Sequence, residues 1–161
     1  MAQVSTKSVG RSAARLGAVQ ALYQMDMAQT DLSDVLAEFE ARGIGVDNGG
    51  DEPGTQVDVK LFRDVVSGVV QHQLRLDPMI DGVLAEGWTL GRLDSILRAI
   101  LRAGAYELVL RLDIPPKVVI SEYIDVAHAF FDNDEPRFVN GALDRLARSA
   151  RGADMDRDNA G

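Results

Sequence analysis

Apolar residues recur at spacings of three and four along almost the whole chain, and strand-type alternation is nearly absent. The pattern predicts a first helix over about 8–27, with Ser8 as a cap and Leu16, Val19, Leu22 and Tyr23 as its buried stripe. A second covers about 32–41, with Leu32, Val35, Leu36 and Phe39 inward. A third covers about 57–76, with Val59, Phe62, Val66, Val69 and Gln73 on one face. Pro78 is expected to interrupt it, so that a short separate helix over about 78–86 precedes a turn at 88–91. A long apolar helix follows over about 92–110, carrying Leu93, Ile96, Leu97, Ile100, Leu101, Ala105 and Leu108. Its Ala103, Gly104 and Ala105 are small enough to admit a neighbouring helix closely. Asp113-Ile114-Pro115-Pro116 breaks the chain, and Pro116 suits the first turn of a helix over about 116–131, where a missing N–H costs nothing. After the connector DNDEP comes a last helix over about 136–150. The expected fold class is all-α, a compact bundle of about seven helices.

Two segments stand outside the helical pattern. GIGVDNGGDEPGTQ, residues 43–56, has five glycines, one proline and three acids and no apolar period, so it is expected to be a mobile loop. It lacks the lysine and hydroxyl ending of a nucleotide-binding loop. The tail at 151–161, RGADMDRDNAG, is expected to be disordered, leaving one domain over 1–150.

With 161 residues and 46% apolar content, the chain can bury a core of its own and is too apolar for a disordered one. No stretch approaches the roughly 20 unbroken apolar residues of a membrane helix, and the start has no apolar run of the export type, so the expected location is the cytoplasm. The absence of cysteine excludes a disulfide scaffold, a thiolate zinc site and a thiol nucleophile. Neither His72 nor His128 has a second ligand at metal-binding spacing, and no phosphate-binding glycine motif or nucleophile elbow is present. The sequence gives no positive support to an enzyme and implies no cofactor. Asp154, Asp156 and Asp158 resemble the opening of a calcium loop but lack its closing glutamate.

Charge changes the picture more through its layout than through its sum of −8. Lys7, Arg11 and Arg15 are the charged residues of positions 1–25, whereas positions 26–59 hold nine acids against Arg42 alone. A basic beginning on an acidic protein suggests an anion at one end and a basic partner elsewhere, while general acidity also serves solubility. On a helix, steps of four residues drift by only about 40°, so Lys7, Arg11 and Arg15 can form one cationic stripe for phosphate, with a solvated helix end as the plainer reading. The second cluster is aromatic: Phe130 and Phe131 precede, and Phe138 follows, a short connector holding Asn133 and Asp134. Rings beside a polar connector can stack unpaired bases while Asn and Asp read base edges, although such phenylalanines also serve as core. Together the two clusters suggest a single composite surface for single-stranded RNA, provided that they converge in space.

In order and spacing, AVQALYQ (18–24), FRDVVSGV (62–69), ILRAGAYEL (100–108), IPPKVVISE (114–122) and RFVNGALDRLA (137–147) resemble the bacterial NusB family across about residues 10–150. The resemblance implies an all-helical transcription antitermination factor. Such a factor pairs with NusE, a ribosomal small-subunit protein, binds the boxA element of ribosomal RNA leader transcripts, and joins other Nus factors on RNA polymerase. By position it implies that Arg11, Arg15, Tyr23, Phe130, Asp134 and Phe138 lie at or near the RNA surface, with Lys7 extending the stripe. It also implies that the central helices around Glu107 dock the ribosomal partner. The arginine cluster is thinner here than in many relatives, which shifts RNA affinity onto the pair. Two other readings remain: a helical adaptor or homodimer without RNA contact, and the helical front of a ribosomal RNA methyltransferase, for which no glycine-rich cofactor domain is present.

Overall fold

The computed structural model describes residues 6–45 and 57–160. Among these, the chain forms six α-helices and no strand: α1 (Thr6–Ala28), α2 (Leu32–Arg42), α3 (Val59–Asp81), α4 (Ser95–Leu110), α5 (Pro116–Phe130) and α6 (Glu135–Ala160), with a single 3₁₀ turn at Leu90–Arg92. No described helix is long and apolar enough to cross a membrane.

Most of the apolar stripes are where the spacing put them; Tyr23 and Val59, expected inward, are instead exposed. α4 is the centre of the bundle, with Leu97, Ile100, Leu101, Ala103, Gly104, Ala105 and Leu108 all buried, and α1, α3, α5 and α6 pack around it. The small residues of α4 work as expected but within the chain: a Cβ on Gly104 would lie 2.9 Å from Leu143 of α6 and 3.5 Å from the Tyr123 ring of α5. That face is therefore closed by the molecule itself and is not an adaptor or dimer surface. Asp94 and Asp58 cap α4 and α3, accepting from the backbone N–H of Ile96 at 2.8 Å and of Leu61 at 2.9 Å.

Three boundaries differ from the pattern. Pro78 does not end α3, which runs on to Asp81 because Ile80 is buried and Gly82 N–H closes onto Pro78 C=O at 3.0 Å. The bond that Pro78 cannot make is to the carbonyl of Leu74, a residue 96% exposed and so open to water. Residues 78–86 are therefore the end of α3 and a turn, which reduces seven helices to six. The last helix does not stop near residue 150. It kinks at Arg151 (φ −140°, ψ 43°) and continues as helix to Ala160, where the apolar pattern predicts no helix. Arg151 donates to the carbonyls of Ile114 at 2.8 Å and Leu112 at 3.2 Å, and Met155 is buried beyond it. The glycine-rich stretch lies outside the described residues from position 46 to position 56.

Candidate nucleic-acid interface

The three basic residues of α1 do share a face, but that face is continuous with the core stripe. Arg15, Ala18 and Leu22 stand at i, i+3 and i+7, and all three are buried. Arg15 is 1% exposed and binds Glu107 of α4, which is 0% exposed. Nε donates to Oε2 and one terminal N–H to Oε1, each at 2.9 Å. The hydroxyl of Tyr123 in α5 donates to Glu107 Oε2, Glu122 lies 3.6 Å from the guanidinium, and Ser12 donates to Glu122 Oε2 at 2.9 Å. Burial alone would pull the Arg15 pKa down, but Glu107 outweighs it and holds it above the ordinary value. Burial, with Glu107 alongside, pushes the Tyr123 phenol well above its ordinary range. This corrects two expectations: Arg15 is not on a phosphate-facing surface, and Glu107 is not available to a docking partner. With Tyr123 they tie α1, α4 and α5 together.

Lys7, exposed, and Arg11, half-buried, lie nearer the start of α1. They line a concavity of about 410 Å³ with Lys60 of α3 and Arg111 after α4, against Asp58, Asp64 and Asp113. Arg111 is committed inside it, bridging Asp64 and, at 3.1 Å, Asp113. The bond from Arg111 holds the Asp113 carboxyl below the usual range. Asp58 is spent on capping α3. Arg11 Nε is buried there with no hydrogen-bond partner, and Lys7 and Lys60 are exposed. Lys60 had no signal in the sequence, since its neighbourhood depends on how α3 meets α1 through the Asp58 N–H to Gly10 C=O bond at 3.1 Å.

The aromatic cluster is elsewhere. Asp134 and Phe138 line a groove of about 370 Å³ with Asp94, Leu97 and Leu93 at the start of α4, together with Trp88, Arg92 and Glu135. Phe130, Phe131 and Phe138 are all partly buried against the core, so each has a core side and an open side. Tyr23, 38% exposed, lies towards the same end of the molecule. It lines a cleft with Met27, whose sulfur accepts from Ser95 Oγ at the first residue of α4.

The two clusters thus occupy opposite ends of α4. Lys7 and Arg11 neighbour Arg111 and Asp113 past its last residue, and Phe138 and Asp134 neighbour Asp94 and Leu97 at its first turn. A helix of 16 residues spans about 24 Å at 1.5 Å per residue. The fold does not build the expected single cradle. It separates a cationic end from an aromatic end.

No group of described residues could hold a metal ion. His72 stacks on Tyr106 with ring centroids 6.3 Å apart, and His128 is exposed.

The NusB family model matches residues 12–148. A transcription antitermination protein NusB from Bradyrhizobium sp. (strain ORS 278) is 53% identical over 154 residues, covering 96% of this chain and 91% of that protein. One from Rhodopseudomonas palustris (strain HaA2) is 55% identical, over 90% of this chain and 85% of that protein. Among solved structures, T. maritima NusB is similar with a TM-score of 0.72 at 28% identity, covering 96% of this chain and 99% of that one. The same fold is found at a TM-score of 0.71 and 23% identity, over 87% of this chain and 97% of the other, in a crystal structure of the antitermination factors NusB and NusE in complex with dsRNA. With a bundle of this architecture and relatives this similar over nearly its full length, the chain belongs to the NusB family.

Proposed function

We propose that this chain is a transcription antitermination factor that binds boxA-type RNA of ribosomal RNA leader transcripts as a pair with the ribosomal protein NusE, in the cytoplasm and alongside other Nus factors and RNA polymerase. The observation that carries the reading is identity above 50%, over nine-tenths of the chain, to proteins named for antitermination. A solved relative in complex with NusE and RNA supports the choice of partners.

On this reading RNA follows an extended path. Unpaired bases stack at the aromatic end on Tyr23, Phe130 and Phe138, with the carboxylate of Asp134 accepting from base N–H groups. Phosphates further along reach the cationic end at Lys7, Arg11 and Lys60. Two or three phosphates neutralised in this way give weak, salt-sensitive binding, so the partner must supply a second surface on the same RNA. The remaining acidic surface suits a basic ribosomal protein. No catalytic step is required.

Transcription in vitro tests this. A template carrying boxA ahead of a terminator, with polymerase and the other Nus factors present, gives more read-through when this chain and NusE are added together. Read-through that depends on neither the chain nor boxA contradicts the proposal.

A further inference from the structure

The groove at the start of α4 contains a large aromatic side chain that the sequence pattern leaves unexplained. Trp88 is the chain's only tryptophan and is 50% exposed, between the end of α3 and the 3₁₀ turn. An indole left half in water is a poor use of apolar area unless something covers it.

Its backbone is held firmly. Trp88 N–H donates to Ala85 C=O at 3.0 Å, and Leu90 N–H donates to the Asp81 carboxylate at 2.7 Å. Arg92 donates to Gly87 C=O at 2.7 Å, fixing the residue before Trp88, whose φ of +89° is of the kind that favours glycine. The backbone on both sides of Trp88 is therefore held, which lowers the cost of ordering the turn when the ring is used as a binding surface.

The groove that Trp88 lines also holds the partly buried ring of Phe138, the apolar side chains of Leu93 and Leu97, and the carboxylates of Asp94, Asp134 and Glu135. Glu135 Oε2 is buried there without a hydrogen-bond partner. Rings along an apolar floor, rimmed by three carboxylates and by Arg92, which is turned to Gly87 C=O, match a flat heteroaromatic ligand with N–H groups at its edge.

We propose that Trp88 is an RNA-binding residue: its indole and the ring of Phe138 form one platform for an unpaired nucleobase, whose N–H edge meets the carboxylates of Asp134 and Glu135. Arg92 is a positioning residue, acting through the turn that carries Trp88. The inference rests on the proposed RNA-binding function and extends it to an element, the α3–α4 connection, outside the two clusters from which that function was argued.

The test uses the full chain with Trp88 replaced by 5-fluorotryptophan, giving a single ¹⁹F resonance that remains visible beside an unlabelled ribosomal partner. Single-stranded RNA of about a dozen nucleotides containing boxA should shift this resonance with the same midpoint as binding read from labelled RNA. Trp88→Ala should weaken RNA binding roughly tenfold, within the range for loss of one stacked base. Trp88→Phe should restore most of it, and the far-ultraviolet spectra of both should match the parent. An abasic nucleotide at one position should abolish the shift and make Trp88→Ala silent.

Normal RNA binding by Trp88→Ala with an unmoved resonance overturns the inference and leaves the RNA-binding function standing. A resonance shifted by the partner alone, and no further by RNA, also overturns it, assigning the groove to a partner side chain. Absence of any RNA binding by the parent chain and partner together overturns the function itself and the inference with it.

Discussion

Arg15 and Glu107 are bound to each other by two parallel hydrogen bonds of 2.9 Å at the centre of the bundle, where α1, α4 and α5 meet. Each is almost wholly removed from water. Removing one partner leaves a buried unpaired charge, which costs about 3–5 kcal/mol, whereas replacing both by apolar side chains is often neutral. Arg15→Ala or Glu107→Ala should therefore lower stability by about that amount, read as a reduced denaturant midpoint. The triple variant Arg15→Met, Glu107→Leu, Tyr123→Phe, which also removes the phenol that donates to Glu107, should recover most of the loss. A surface role for either residue predicts small single-variant effects and no recovery.

The same burial separates Arg15 from the cationic end in RNA binding. Removing a side chain that neutralises one phosphate reduces the slope of log affinity against log salt by about 0.7 on a single strand. Arg11→Ala and Lys60→Ala should each reduce the slope by about that step. The Arg15→Met, Glu107→Leu, Tyr123→Phe protein should keep the parent slope. A fall in its slope instead would place Arg15 on the RNA.

At the aromatic end the expected signature is the opposite. Phe138→Ala should cost about 1–3 kcal/mol of RNA binding at every salt concentration, because a stacking surface is removed and no counterion is involved. Tyr23→Ala should behave in the same way. Parallel salt plots displaced downward, from filter or gel titrations, are the outcome to look for.

Packing at Gly68 makes a separate prediction about the fold. A Cβ there would fall 2.2 Å from the Tyr106 ring, which is held by a hydrogen bond from its hydroxyl to Asp64 at 2.8 Å. Gly68→Ala should destabilise by about 1–3 kcal/mol, as overpacking does. Adding Tyr106→Leu should relieve the clash, so the double variant should be less damaged than the two single effects predict together.

High pH acts through the same tyrosine. Burial and the bond to Asp64 raise the Tyr106 pKa to about 12, and Tyr123 is raised for the reasons given above. In each case the neutral phenol is favoured in the folded state, so between pH 10 and 12 the native chain binds more protons than the unfolded one. Stability is therefore complete below pH 10 and falls as pH rises through that window. Ultraviolet titration should show Tyr106 and Tyr123 ionising at higher pH in the folded chain than in the unfolded one. Tyr106→Phe should flatten the loss of stability.

Most of the fold was legible because one periodicity governs it: the apolar stripe of α4 is the centre of the core. What was not legible has local causes. Pro78 reads as a break, but a proline whose missing bond falls on a solvent-facing carbonyl can stay within a helix anchored by a buried neighbour such as Ile80. The tail reads as polar, and the kink at its start places Arg151 on two carbonyls of the α4–α5 connection, which no local pattern reveals.

At the site, spacing correctly placed Lys7, Arg11 and Arg15 on one face but could not say which way the face turned. The signal was available in Ala18 and Leu22, which continue the line from Arg15 into the core. Neither the separation of the two clusters nor the nearness of Trp88 to Phe138 could be read before the order of the helices in space was known.

The central claim is that this chain recognises boxA RNA as one half of a pair. A gel titration of boxA RNA with the chain, with and without NusE, at two salt concentrations tests it most directly. The pair should bind much more tightly than the chain alone, with binding weakened by salt and abolished when the boxA sequence is scrambled. Equal affinity with and without the partner, or equal affinity for the scrambled RNA, would contradict it.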